Sequence, residues 1–304
     1  LWSKHNFGFI SFSTIISIIG LMLGVASLII ISCISDGFNE VINTKLSGID
    51  GHMRIRSYLS DKLNSNNYRE IDSIILNSGS TIQYSSTYIE KHAIIRKGVN
   101  SQGVIIYGVD EAALDNIFHL NQFTDIESSF IGNDCIIIGS KLAEVMNIKL
   151  NDTIILLDPT KIATDHIFKA KKLNVINIFE TEFTEYDRLL AFMPLKTAQQ
   201  YYDYSNQVTG VILNVDAPYE IEQVDLILSE HLKLKPYITS TWKERHGSLL
   251  EWLNIYDFPI KIIMFFITTV AIFNIAATLW MIVIEKNRDY GIFQTLGLEK
   301  YHLF

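Results

Sequence analysis

The strongest constraint in this sequence is an apolar span near its end that runs straight into a short charged segment. From Ile262 to Ile284 no residue is charged. At about 1.5 Å per residue these 23 positions reach roughly 35 Å as a helix, enough to cross a bilayer. Glu285, Lys286, Asn287, Arg288 and Asp289 follow at once, and then Tyr290-Gly291-Ile292-Phe293-Gln294-Thr295-Leu296-Gly297. That order suits a helix that leaves the membrane and bends along its surface, ended by glycine. A stop-transfer flank without a binding partner would have the same composition.

A second such stretch lies near the start. The 30 residues between His5 and Asp36 are uncharged, and Ile15 to Ile34 reads as a membrane helix. It is too long, and too free of polar residues at its downstream end, for a signal peptide with a small-residue cleavage site, so it is expected to stay as an anchor. Two spans put both ends on one side of the membrane and the segment between them on the other. Lys4, Lys286, Arg288 and Lys300 are offset by Glu285, Asp289 and Glu299, so the basic residues leave the orientation open.

The intervening segment, Ser35 to Pro259, holds 20 of the 25 Lys and Arg and 30 of the 33 Asp and Glu, a net charge near −10. Such a surface repels phosphates and excludes nucleic acid as a partner. Roughly 220 residues are enough to bury a core of their own, in more than one lobe. Cys33 lies in the first span and Cys135 in the apolar run Cys135-Ile136-Ile137-Ile138, so no disulfide framework is expected.

Ser17, Gly20, Gly24 and Ser27 recur at steps of three or four on one face of the first span. Small residues let helix backbones approach closely in lipid, so this face suits packing against another membrane helix; incidental use of glycine is the alternative. Asn274 and Thr278 share a face of the second span, suited to lining an interior or to packing hydrogen bonds. Phe38, Val41, Ile42 and Leu46 continue the first span outward as an amphipathic stalk ended by Gly48 and Gly51. Leu249, Leu250, Leu253 and Tyr256, within Trp242 to Asp257, form a second stalk.

Between the stalks the pattern is mixed α/β. Strands are expected at His52 to Ser57, Tyr88 to Ile95 and Val104 to Val109, a helix at Tyr68 to Leu76, and Asp110 as the cap of a further helix. The strand Val208 to Val215, the helix Tyr219 to His231 and the strand Tyr237 to Thr241 complete a β-α-β unit that pairs with the strands at His52 to Ile95. A split lobe (46–97 and 205–245) therefore encloses an inserted lobe (98–204). Gly139-Ser140-Lys141 is not a phosphate loop, because its spacing from Gly132 is wrong and lysine follows serine; Ser140 reads as a helix cap. Glu180, Glu182, Glu185 and Asp187 lack the spacing of a calcium or acid–base site and read as surface charge. No His-Glu-x-x-His, paired-cysteine or Walker-type pattern occurs, so no catalytic residue, metal or cofactor is expected.

Phe273-Asn274-Ile275-Ala276-Ala277-Thr278-Leu279, the segment Glu285 to Ile292, and Leu296-Gly297 resemble the permease subunits of lipoprotein-releasing ABC transporters, the LolC/LolE family, within the macrolide-exporter-like (FtsX-type) permease group. Ile18 to Ala26, Asp36-Gly37-Phe38, Ile136 to Ala143, Ile148 to Ile154, and the strand-loop-strand from Phe179 to Leu195 extend the resemblance, although the family more often has asparagine before Gly37-Phe38.

The resemblance implies an α+β membrane protein in which two transmembrane helices, a fragment of a four-helix permease, flank a large two-lobed mixed α/β periplasmic domain. The implied layout is a cytoplasmic start (1–12), a first helix (13–35), a periplasmic domain (36–258), a second helix (259–284) and a cytoplasmic coupling segment (285–304). The third and fourth helices would lie beyond Phe304. In that family Glu285, Lys286, Arg288, Asp289, Gly291 and Gly297 would sit on a separate ATPase subunit, and the implied location is the bacterial inner membrane. The implied partners are that ATPase, a second permease copy or paralogue, a lipoprotein substrate, a periplasmic lipoprotein carrier and membrane lipid. The carrier would meet the loop Asp158 to Lys172, with Pro159, Lys161, Lys169 and Lys171; a solvated turn is the alternative. Other cargo, as in macrolide-exporter-like or cell-division permeases, and a two-span receptor with a sensor domain are the competing readings. The Gly291 and Gly297 breaks weigh against the receptor.

Overall fold

The computed structural model describes residues 7–78, 82–124, 129–130, 132–161, 169–181, 183–216 and 218–295. These fall into two compact units, one of Leu1–Val41 with Ser248–Phe304 and one of Ile42–Gly247.

The first unit is built from the greater part of two long helices, α1 (Phe7–Asp50) and α9 (Gly247–Thr295), of which residues 42–50 and Gly247 belong to the second unit. Within them Ile18–Phe38 and Phe258–Met281 are long and apolar enough to cross a membrane. Large apolar side chains such as Met22, Leu23, Phe265, Phe273 and Trp280 lie exposed on the helices, as lipid rather than water would allow. Hydroxyls in these spans bond back into their own helix: Ser27 to the Leu23 carbonyl and Thr268 to that of Met264, both at 2.8 Å. Helix α9 passes through Pro259 and runs on through Gly291 to Thr295. The break expected at Gly291 is therefore absent. A lone glycine costs a helix only about 1 kcal/mol against alanine and need not end it, so Gly291 gives no argument against a receptor; Gly297 lies outside the described residues.

The second unit is organised by one nine-stranded sheet. Its strands are β1 (Met53–Ser57), β2 (Ile82–Lys97), β3 (Asn100–Val109), β4 (Cys135–Gly139), β5 (Thr153–Leu157), β6 (Ala170–Phe179), β7 (Leu190–Pro194), β8 (Gly210–Val215) and β9 (Tyr237–Thr241). Their order is β3-β7-β4-β6-β5-β2-β8-β1-β9, and β2 pairs with β3 as well, so six strands close a circuit. The 16-residue length of β2 makes this possible: Ile82–Tyr88 pairs with β8, Ile94–Arg96 with β5, and Tyr88–Lys97 with β3. Strands of the middle segment, β3 to β7, occupy one end of the sheet, and β8, β1 and β9 the other. Among the described strands, only β3 with β7 and β4 with β6 run parallel. All five residues of β4 are buried, which is why it reads as an unbroken apolar run rather than an alternating one.

Helices α2 (Ser65–Asn77), α3 (Glu111–Asn116), α4 (Ser140–Met146), α5 (Thr184–Leu189), α6 (Leu195–Tyr201), α7 (Ile221–Leu232) and α8 (Trp242–Arg245) complete the unit. Tyr107, Phe118, Phe179 and Phe192 form the aromatic centre of the core, with Phe118 and Phe192 ring centroids 4.9 Å apart. Several local expectations change. Gly139, not Ser140, takes the cap position of α4, and the Ser140 hydroxyl is buried without a partner among the described residues. Asp110 stands at the cap of α3, but its side chain makes no capping hydrogen bond, and burial pushes its carboxyl up. The second stalk is interrupted: Thr241 and Glu244 form a capping box that starts the short helix α8, and α9 begins only after His246. Asp187 is buried rather than a surface charge, accepting hydrogen bonds from the Thr181 backbone N–H at 2.8 Å and hydroxyl at 2.7 Å. Glu180 and Glu185 are exposed, and Glu182 lies outside the described residues.

Candidate functional site: the charged clasp at the helix roots

Helix α1 ends inside the core of the second unit, where Leu46 and Ile49 on its last turns are each 1% exposed. Gly51 then turns the chain with φ +66°; a Cβ there would come within 2.6 Å of the Ile212 side chain, so the turn demands glycine. Residues alternate faces along β1, which puts Arg54 and Arg56 on one side and Met53 and Ile55 on the other. Asp50 and Arg54 are thereby brought together in a buried place, 6% and 2% exposed.

Four further elements converge on this pair. The Arg54 guanidinium binds the carboxylates of Asp50 and of Glu90 on β2, and donates to the Tyr107 hydroxyl on β3 at 2.7 Å. It also lies over the Tyr88 and Tyr107 rings, 5.3 and 5.1 Å from their centroids. From α8, Arg245 Nε donates to Asp50 Oδ2 at 2.8 Å, while its Nη2 donates to the carbonyls of Asp50 and Gly51 at 2.8 and 2.7 Å. His246 Nε2 lies 3.1 Å from the same Asp50 oxygen and 2.9 Å from the Tyr186 hydroxyl of α5.

The electrostatics follow from burial. Desolvation alone would raise the Asp50 carboxyl, but Arg54, then Arg245 and His246, hold it well below the usual carboxylate range. Burial would lower Arg54, and Asp50, with the neighbouring tyrosines and Glu90, raises it further than burial can lower it. Burial, aided by the Asp50 charge, pushes the Tyr186 phenol up, so it stays a neutral hydroxyl. This is a charged cluster with a buried centre: Asp50 and Arg54 are nearly inaccessible, while Arg245, His246 and Glu90 are partly exposed. Its members hold one another in place, and removing one leaves its partners' charges unpaired, which typically costs about 3–5 kcal/mol.

The sites expected from sequence lie elsewhere. In the helical unit, a Cβ on Gly20 would meet Asn274 Nδ2 at 2.7 Å, and one on Gly24 would meet the Ala271 methyl at 3.9 Å. Gly20 and Gly24 thus face Asn274 and Ala271 of α9, and Ser27 lines the same groove beside Phe266 and Val270. Thr278 donates to the Asn274 carbonyl at 2.8 Å within its own helix. The side chains of Ser17, Glu285, Lys286, Arg288 and Asp289 lie outside what is described. Of the basic loop, Pro159 to Lys161 and Lys169 to Lys172 are described. Lys169 pairs with Asp203 at 2.7 Å, Lys161 lies 3.9 Å from the same carboxylate, and Lys171 pairs with Asp134 at 2.6 Å.

The clasp was missed because Asp50, Arg54, Tyr186, Arg245 and His246 are scattered in sequence and each resembles ordinary surface polarity. Two signals were present: alternate arginines in a short strand directly after a stalk, and the Thr241-x-x-Glu244 box that stops one helix just before another begins.

Two apolar spans bracketing a mixed α/β domain define a membrane-anchored protein with a large domain outside the bilayer. Residues 14–227 match the MacB-like periplasmic core domain, and the chain belongs to that family. It is 25% identical over 303 residues to the lipoprotein-releasing system transmembrane protein LolC of Neisseria meningitidis serogroup B, covering 98% of this chain and 72% of that protein. It is 26% identical over 286 residues to the corresponding LolE of Haemophilus influenzae, covering 92% and 68%. These similarities support the LolC/LolE permease branch. Among solved structures, the periplasmic region of MacB from Actinobacillus actinomycetemcomitans aligns with a TM-score of 0.41 and 14% identity over 67% of this chain and 95% of that one.

Proposed function

We propose that the chain is the permease subunit of an ABC transporter that releases lipoproteins from the bacterial inner membrane, with its mixed α/β unit in the periplasm and ATP hydrolysed by a separate cytoplasmic subunit. The observation that carries this reading is identity of about a quarter to LolC across 98% of the chain, both apolar spans included. The chemistry agrees with the assignment. Pulling a lipid anchor from a bilayer costs about 0.8 kcal/mol per exposed methylene, so release needs an energy source, and the sequence has no nucleotide-binding loop of its own.

In this reading Glu285, Lys286, Arg288 and Asp289 meet the ATPase, and the face of Ser17, Gly20, Gly24 and Ser27 belongs to helix packing within the permease assembly. A carrier that docks on the loop from Asp158 to Lys172 would have to displace Asp203 and Asp134 from its lysines.

The test is co-purification of the full-length protein with the ATPase, wild type against Arg288→Glu/Asp289→Arg. The expected result is an ATPase bound by the wild type, released by the reversal, and lipoprotein leaving proteoliposomes only with ATP. A wild type that binds no ATPase refutes the proposal.

A further inference from the structure

Asp50 is the last residue of α1, and Arg245 and His246 immediately precede α9. One buried carboxylate therefore ties together the roots of the two long helices. The connection continues from His246 to the hydroxyl of Tyr186, whose ring stands edge-on to the imidazole at 86° with centroids 5.8 Å apart. Tyr186 belongs to α5, which sits in the middle segment of the chain between β6 and β7.

Helix α5 is fixed just as firmly on its other side. The Asp187 backbone lies so close over Gly139 at the end of β4 that a Cβ there would come within 2.2 Å of the Asp187 carbonyl oxygen, and the Asp187 carboxylate is bonded to Thr181. A helix docked this tightly cannot absorb a displacement at Tyr186 without passing it to β4. Asp50 and Arg54 at the centre of the clasp are buried, so parting them would strand unpaired charges away from solvent, and Asp50 and its partners move together or separate outright. That behaviour suits a two-state element better than a gradual spring.

We propose that Tyr186 is a positioning residue, and that the chain Asp50–His246–Tyr186 is the link by which a change at the two helix roots is passed to the segment carrying β4, β6 and β7. The proposal rests on the permease reading for the source of the movement, and it assigns that movement a specific route through three side chains.

The experiment uses the full-length protein, reconstituted in nanodiscs with the transporter's ATPase. Spin labels are placed at Val145→Cys on α4 and Glu230→Cys on α7, both exposed, in a Cys33→Ser background. Distances are measured by electron–electron resonance without nucleotide and with ADP–vanadate. Nucleotide is expected to shift the distance in the protein with an intact clasp, and Tyr186→Phe, which removes one hydroxyl and keeps the ring, is expected to abolish the shift. His246→Gln, which keeps a polar bridge between Asp50 and Tyr186, should retain it, and His246→Leu should lose it. Lipoprotein released per ATP hydrolysed should fall on the order of tenfold in Tyr186→Phe with ATP turnover unchanged, within the usual range of coupling between sites. The inference is overturned if Tyr186→Phe shifts and releases like the wild type, if His246→Gln and His246→Leu behave alike, or if the intact clasp shows no nucleotide-dependent shift. If the labels respond as expected but the wild type releases no lipoprotein, the cargo reading fails and the link stands.

Discussion

At Gly139 a single hydrogen atom decides the fit, since the backbone of Asp187 occupies the space a side chain would need. Gly139→Ala is expected to cost about 2 kcal/mol or more, because the obstructing atoms are main chain and cannot swing away. Gly103→Ala, which meets nothing within 4 Å, should stay within about 0.5 kcal/mol of wild type. Thermal unfolding of the detergent-solubilised protein separates the two, and equal melting points would show that α5 gives way. The neighbouring carboxylates show what residue type alone could not settle. Asp187 and Glu185 look alike in sequence, yet Asp187 is 1% exposed and bonded to Thr181, while Glu185 faces solvent. A helix of only six residues carries too few turns for its apolar face to be read from periodicity.

Among the elements, the paired helices give the sharpest test. Gly20 accommodates the Asn274 amide, so Gly20→Leu is expected to lower the melting temperature clearly, and Asn274→Ala on that background should recover part of the loss. Strict additivity of the two changes would show that the residues do not meet. The small-residue spacing on α1 is legible because packing in lipid favours small side chains, and Asn274 stands out on α9 as a polar residue suited to packing; that the two meet is not legible, since neither carries a mark of the helix it faces. The strand expected at Tyr88 to Ile95 is the middle of β2, which spans Ile82–Lys97. Its first half, with Ser85, Ser86 and Thr87, looks like a loop, and becomes strand because β8 offers it a partner. The clasp is hidden for a similar reason: its members come from α1, β1, β2, β3, α5, α8 and the turn before α9, and only the folded sheet brings them together.

At the scale of the whole mixed α/β unit, acid should weaken the fold through His52. This residue is 6% exposed and its Nδ1 accepts the Val215 N–H at 2.9 Å. Burial, then the proximity of His119, pushes its pKa down from 6.5 to about 4. Above pH 6.5 the imidazole is neutral in both folded and unfolded chains and the fold keeps its full stability. Between pH 6.5 and 4 the unfolded chain takes up a proton that the folded chain refuses, so stability falls with pH, by about 3 kcal/mol in total. Denaturant midpoints at pH 7.5 and 5 should therefore differ more in the wild type than in His52→Gln; the same difference in both would remove His52 as the cause.

The position of β1 has a consequence for how the chain is made. It lies between β8 and β9 in the sheet, and both of these neighbours come from the far end of the domain, up to Thr241. At ribosomal speeds of about 5–20 residues per second, the interval between Met53 and Thr241 is roughly 10–40 s. Throughout that time the first membrane helix is already made while the strand it leads into has both edges open. The newborn domain is thus most exposed to mispairing and proteolysis before its last strand emerges, and a ribosome stalled anywhere before Tyr237 leaves an anchored protein that cannot finish its sheet.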